Sequence, residues 1–320
     1  MRRYLLIGSA AAALITLLAA PSAHEAPDRP DGRLVLALHP PERVAVMDVR
    51  SGRAVSRPLP GGTLCHGDIS LIGGRAVFAG SAKGHGAEMS LDLALRTRAK
   101  PVGLADLSTP SATPGRLWLA RVRYGRRGAE LRSLREVTVE GRTTFVARRL
   151  PPAVRWFNLE GAVRDGLVLT SGGRMRVWDP RTGRVVRSMP EGFVLGLDDR
   201  RIAWCRGDCS RVHVSGPGGD RTFSLSRGGS NHGAFSPDGS HLAVSTLKGR
   251  IGLVDLATGS VRLVPRARTD TYGALGWAPS GKWLFFASPR GRLMAYSPAA
   301  NRVTALPGRV RGNVHSLAAE

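Results

Sequence analysis

Lysine is nearly absent from this chain of 320 residues: only Lys83, Lys100, Lys248 and Lys282 stand among its 47 basic residues, and the rest are Arg. Acidic residues are also few, 24 in all, which leaves a formal net charge of +23. The Arg residues are spread along the whole chain, without a clustered basic helix or a nucleic-acid recognition motif. The charge therefore does not mark a specific nucleic-acid binder, and GC-rich codon usage accounts for the Arg excess. The field is real all the same and favours weak association with anionic surfaces, including a membrane surface. Aromatics are scarce at 6%, whereas Gly (40) and Pro (21) are plentiful. That balance excludes long helices and suits many short strands broken by turns.

The chemistry-bearing motifs are missing as well. There is no Gly-x-Ser-x-Gly elbow, no His-Glu-x-x-His pair, no phosphate-binding glycine loop and no acidic calcium loop. No catalytic residue, metal site or cofactor is assigned on motif grounds. No Cys precedes Cys65, which excludes a lipid-modified N-terminal cysteine.

The N-terminus reads as an export element. Arg2 and Arg3 precede the uncharged, Ala/Leu-rich stretch from Tyr4 to Ala20, and the small residues Ala20, Ser22 and Ala23 follow. The apolar part is short for a membrane span, which needs about 20 residues, while Pro21 interrupts the cleavage site. Residues 1–23 are read as a signal peptide or an N-terminal membrane anchor, and residues 24–30 as a short polar linker. Either way the expected location is extracytoplasmic, secreted or held at the cell membrane. Cysteine usage fits an oxidising compartment. Cys205 and Cys209 flank Arg206-Gly207-Asp208 between two apolar segments, as in a hairpin, and opposed hairpin positions lie within disulfide reach. A Cys205–Cys209 bridge is expected, with Cys65 left as a buried small hydrophobe.

A repeat organises the rest. Short apolar strands end in Asp or a polar substitute, followed by a turn: Val46-Met47-Asp48, Val177-Trp178-Asp179-Pro180-Arg181-Thr182-Gly183 and Leu253-Val254-Asp255-Leu256-Ala257-Thr258-Gly259 are the clearest copies. Weaker copies centre on Asp92, Glu140, Ser215 and Ser297. Their spacing matches a four-stranded propeller blade of about 40 to 45 residues. A second marker keeps the same phase: Phe235-Ser236-Pro237-Asp238-Gly239 and Trp277-Ala278-Pro279-Ser280-Gly281 each precede an apolar strand. Pro presets one backbone angle there, Asp or Ser bonds back to the turn, and Gly accepts positive φ. The expected fold is all-β, a β-propeller of seven four-stranded blades over residues 31–317. The strand Gly312-Asn313-Val314-His315-Ser316-Leu317 should close the ring against Leu34 to Leu38, leaving residues 318–320 as a tail.

At these residues the sequence resembles the WD-repeat and TolB-like propeller proteins of bacteria, through "FSPDG" and "WAPSG" before a strand and "WDPRTG" and "VDLATG" closing a unit. The resemblance covers about residues 31 to 317. It implies a propeller and no particular partner.

Three histidines, His66, His232 and His315, fall near innermost strands, where blades converge on the axis, and Glu160 is the one well-placed carboxylate. Propeller lyases that resemble this fold use axial His and Glu with a metal, so these four residues form the candidate axial ligand-binding set. Unrelated polar residues at different levels of a wet channel would look the same in sequence. The functional expectation is a non-catalytic binding or scaffold propeller of the cell envelope, monomeric, whose partner is a protein or an acidic envelope component. A propeller hydrolase or lyase with an axial, metal-dependent site is the alternative.

Overall fold

Strand β1 (Arg33–His39) reads RLVLALH, and all five residues from Leu34 to Leu38 are buried. A strand that is apolar on both faces must be covered on both. Leu34, Leu36 and Leu38 pack into one cluster with Trp283 and Phe285, while Val35 and Ala37 pack into another with Phe78 and Met89. The same rule sets the architecture of the whole molecule.

The computed structural model describes residues 29–40, 42–59, 69–82, 85–125, 128–150, 157–171, 174–225, 230–269 and 274–320. The first blade holds β1, β2 (Arg43–Asp48) and β3 (Ala54–Pro58). The second holds β4 (Ser70–Ile72), β5 (Arg75–Ala82), β6 (His85–Asp92) and β7 (Lys100–Leu104). The third holds β8 (Leu107–Pro110), β9 (Arg116–Gly125), β10 (Gly128–Thr138) and β11 (Thr143–Val146). The fourth holds β12 (Phe157–Val163), β13 (Gly166–Ser171), β14 (Arg174–Asp179) and β15 (Arg184–Met189), and the fifth β16 (Phe193–Leu197), β17 (Ile202–Cys205), β18 (Arg211–Gly216) and β19 (Gly219–Ser224). The sixth holds β20 (Ser230–Phe235), β21 (His241–Thr246), β22 (Ile251–Asp255) and β23 (Val261–Leu263), and the seventh β24 (Leu275–Trp277), β25 (Leu284–Ala287), β26 (Leu293–Ser297) and β27 (Arg302–Ala305).

The last strand, β28 (Asn313–Ala319), returns to pair with β1 and completes the first blade. The result is seven four-stranded antiparallel sheets in a ring, a seven-bladed β-propeller. The closing register runs from Leu34↔Ala319 to His39↔Asn313. It takes in residues 318 and 319 of the expected tail, and the Glu320 backbone exchanges both its hydrogen bonds with Arg33 at 2.8 Å each. Continued pairing leaves no edge at the seam.

Both repeat markers have physical roles. Asp48, Asp92, Asp179, Asp255 and Ser297 end the third strand of their blades, Ser215 is next to last, and Glu140 lies two residues beyond. The Asp255 carboxylate accepts the Ala257 and Thr258 N–H groups at 2.9 and 2.8 Å and so shapes the turn. The second marker joins first and second strands. There Asp238 accepts Ser236 Oγ at 2.5 Å and the Ser240 N–H at 3.1 Å. The aromatic before each such turn is buried between blades: Phe235 between the fifth and sixth, Trp277 between the sixth and seventh. Trp277 Nε1 also donates to the Ala234 carbonyl at 2.9 Å, across that interface.

Some of the Arg excess is architectural. Arg57, Arg221 and Arg262, on outermost strands, donate to the carbonyls of Arg96, Leu256 and Pro298 in a turn of the next blade. Two ends of the propeller can now be named. The near end carries the turns between first and second and between third and fourth strands. The far end carries the hairpins between second and third strands and the connections from blade to blade.

Candidate functional site

The innermost strands β28, β4, β8, β12, β16, β20 and β24 ring the axis. They are held apart by their own twist and leave a cavity of about 630 Å³ that residues from all seven blades line. Glu160, His232 and His315 all line it. His66 and Cys65 lie outside the described residues.

Backbone irregularity aims two of these side chains. In β12 the register passes from Leu159↔Leu169 to Gly161↔Val168, so Glu160 is the extra residue of a bulge. In β28 it passes from Ser316↔Ala37 to Val314↔Leu38, so His315 is likewise the extra residue. Bulges re-aim side chains in this way. In β20 the register skips at Asn231, immediately before His232. Glu160 Oε1 accepts Thr170 Oγ1 at 2.5 Å. Among the described residues no group of three His, Cys, Asp or Glu has the geometry to hold a metal ion.

Asp198 and Asp199 also reach the cavity, yet both are committed to the near-end turns. Asp198 accepts the Arg200 and Arg201 N–H groups at 2.8 and 2.7 Å and Arg201 Nε at 2.7 Å. Asp199 pairs with Arg164 of the fourth blade at 2.7 Å. Arg201 in turn donates to the Gly239 carbonyl at 2.6 Å and lies 4.6 Å over the Phe235 ring. These aspartates tie three blades together and are not a general acid–base pair. Among the described residues no Arg or Lys lines the cavity, although the chain carries 47 of them.

One contact not anticipated from the repeat is that of Ser240 with His241, Oγ to Nδ1 at 2.6 Å. The distance suits a nucleophile and its base, but the proton inventory does not. Ser240 Oγ also sits 2.9 and 2.8 Å from the two Asp238 oxygens, so its single proton goes to Asp238 and His241 Nδ1 is the donor. The pair is part of the turn. Also missed in the sequence were Gly161, Gly196 and Gly233, which line the cavity. A Cβ on Gly196 would stand 2.5 Å from the Gly233 carbonyl oxygen, so a glycine there lets β16 and β20 meet. The signal was legible as Gly shortly before a turn in successive units.

The disulfide joins Cys205 and Cys209, with Cα atoms 4.9 Å apart. The two are not opposed across the hairpin as expected. The ladder pairs Cys205 with Val212, and Cys209 lies in the turn at φ 54°, where its N–H donates to the Arg206 carbonyl at 2.9 Å.

No protein-family model matches the chain, and no curated protein matches it. Its likeness is to solved structures. AztD from Citrobacter koseri, in its apo form, aligns at TM-score 0.55 and 13% identity over 91% of this chain and 98% of that one. A candidate 6-phosphogluconolactonase from Bacteroides fragilis aligns at 0.58 and 12% over 94% and 100%. The WD40 domain of Pan2 from Neurospora crassa aligns at 0.56 and 11% over 89% of each chain. At these identities the likeness carries the fold and nothing more: the chain is a seven-bladed β-propeller similar to a WD40 domain.

Proposed function

We propose that this chain is a non-catalytic binding propeller of the bacterial cell envelope, related to the TolB-like proteins, that works outside the cytoplasm as a monomer and recognises an acidic partner. The observation that carries the reading is where the charge sits. Eight ion pairs among the described residues engage eight arginines, and the cavity lining holds none. Basic residues of this +23 chain outside those pairs, such as Arg50, Arg123, Arg211 and Lys248, are exposed and attract anions over about 8 to 10 Å at physiological ionic strength. Binding of the purified protein to anionic lipid vesicles and to a soluble polyanion, followed from low salt to about 0.15 M, tests it. Measurable binding that falls steeply with salt is the expected result. Absence of binding to either at low salt would end this reading.

One observation favours the alternative, a hydrolase or lyase with an axial site: bulges turn Glu160 and His315 into the same cavity as His232. Alanine at all three should leave polyanion binding unchanged. A metal-dependent turnover found by substrate screening and abolished by that triple substitution would replace the binding reading with the enzyme.

A further inference from the structure

We infer that the far end of the propeller is a docking face for an anionic lipid bilayer, an inference that rests on the acidic-partner reading above and gives it a place and a chemistry. The repeat itself separates the charges. Its aspartates are turn-formers, and their turns lie at the near end: Asp48, Asp179 and Asp255 beside the turns from third to fourth strand, Asp165, Asp199 and Asp238 in the turns from first to second. The hairpins of the far end follow no such rule. There Arg123, Arg174, Arg206, Arg211, Lys248 and Arg290 are exposed, and among the described residues the acids of the far-end hairpins and blade-to-blade connections are Glu42, Asp106, Glu130, Glu191 and Asp208. Both ends carry arginines, but the turn-forming aspartates offset them mainly at the near end and leave the far end the more cationic.

Charge alone would suit any polyanion. The apolar groups select the bilayer. Tyr124, Phe193 and Leu247 are 66%, 64% and 53% exposed, and all three are at the far end. Tyr124 is one residue from the tip of the β9–β10 pairing, which ends at Gly125↔Gly128; Phe193 pairs with Cys205, the last residue of β17; Leu247 lies in the hairpin from β21 to β22. The five other exposed large apolar residues, Val55, Leu104, Val146, Val185 and Val186, lie on outermost strands instead.

The third blade reaches farthest. Its β9–β10 pairing runs ten residues, from Arg116↔Thr138 to Gly125↔Gly128, against five for β21–β22. At about 3.3 Å per residue the extra rungs amount to roughly 15 Å over the sixth blade's hairpin, and roughly 7 Å over the eight-residue β5–β6 pairing of the second blade. Ala129 and Leu131 on it are buried and Arg123 and Tyr124 are exposed, an aromatic beside a guanidinium at the outermost point. Basic groups over headgroups with aromatic and aliphatic side chains at the acyl boundary form the pattern of interfacial membrane binding. A hydrated acidic polymer offers the basic groups a partner but gives the apolar ones nothing.

The test uses three variants of the whole protein that share one N-terminus, so any membrane affinity of that segment cancels. The first carries Arg123→Glu, Arg174→Glu, Arg211→Glu and Lys248→Glu at the far end. The second makes the same change in charge at the near end, with Arg50→Glu, Arg53→Glu, Arg142→Glu and Arg302→Glu. The third carries Tyr124→Ser, Phe193→Ser and Leu247→Ser. Circular dichroism confirms the fold of each. Partition onto vesicles of phosphatidylglycerol in phosphatidylcholine, with pure phosphatidylcholine as background, should fall at least tenfold in the first variant and less than threefold in the second. The third should lose severalfold on vesicles and nothing on a soluble polyphosphate. Equal losses from the two charge variants would overturn the far-end assignment while leaving the acidic-partner reading standing. A third variant that binds vesicles as the unsubstituted protein does would overturn the bilayer in favour of a polymer. If the unsubstituted protein bound neither vesicles nor polyphosphate, the underlying reading would fall with it.

Discussion

The interface between the sixth and seventh blades and that between the second and third solve one packing problem with different materials. The former brings together Trp277, Phe286 and Tyr296 with Ile251 and Leu253, under turns whose sequence follows the repeat. The latter is wholly aliphatic, from Ile72 and Val77 to Leu117 and Val139, and it contains a carboxyl. Glu88 of β6 is 6% exposed and accepts a hydrogen bond from Ser108 of β8 across the interface. Burial pushes its pKa up to about 7, against the pull of that hydroxyl. In the same third blade Glu136 is buried but well served, by Ser111 at 2.6 Å, Arg116 at 3.0 Å and Thr144 at 2.9 Å. Burial raises its pKa, and these donors together outweigh burial and hold it below the ordinary value. Where the repeat decays, the interface includes a buried polar contact, Glu88 to Ser108, whose strength depends on pH. Where it holds, the blades are joined by aromatic area, which does not.

The largest effect should come from breaking the ring itself. Deleting residues 313–320 removes β28 and exposes both β1 and the core under Trp283 and Phe285, so the two interfaces should melt together and well below the intact protein; an unchanged melting temperature would show that the seam carries no load. Next, Trp277→Ala should cost about 4 kcal/mol at the regular interface, read by denaturant unfolding, and a loss under 1 kcal/mol would mean that its area is not what joins these blades.

Glu88 sharpens the contrast through pH. Its folded pKa, about 7, stands above the ordinary 4.5, so the stability it contributes is fully present below pH 4.5 and is lost as pH rises through 7. The window is worth about 3 kcal/mol at most. Glu88→Gln, which stays neutral and can still accept from Ser108, should flatten that slope and raise stability at pH 8; an unaltered slope would place the titrating group elsewhere. Smallest is the disulfide, internal to one hairpin of the fifth blade. Replacing Cys205 and Cys209 by Ser should cost about 2 kcal/mol or less, given the shortness of the loop, with no change in either interface. Thiol titration of the unfolded, unreduced protein should find one free thiol, from Cys65.

What could be read from the sequence was whatever is local. The Asp-turn and aromatic-turn markers are made within six or seven residues, and they located third strands in all seven blades and the closing strand as well. The Cys205–Cys209 bond was legible for the same reason, though its turn geometry was not, because the register that opposes Val212 to Cys205 is set by the whole β17–β18 ladder. Glu88 and Glu136 were not singled out in the sequence, because their hydrogen-bond partners Ser108, Ser111 and Arg116 lie about twenty residues or more away along the chain. Of the candidate axial set, Glu160, His232 and His315 line one cavity, and His66 lies outside the described residues. The bulges that aim Glu160 and His315 left no mark in composition or spacing.

The seam has a mechanical meaning. Residue 33 begins β1 and residue 319 ends β28, and the two sit side by side, Leu34 opposite Ala319. A tensile force applied through the segments that lead into β1 and out of β28 would therefore load this ladder one rung at a time, starting with the Arg33–Glu320 bonds, rather than shearing all its rungs at once. The β28–β1 ladder would open like a zipper under such a pull, whereas neighbouring blades elsewhere in the ring are also joined by a covalent connection.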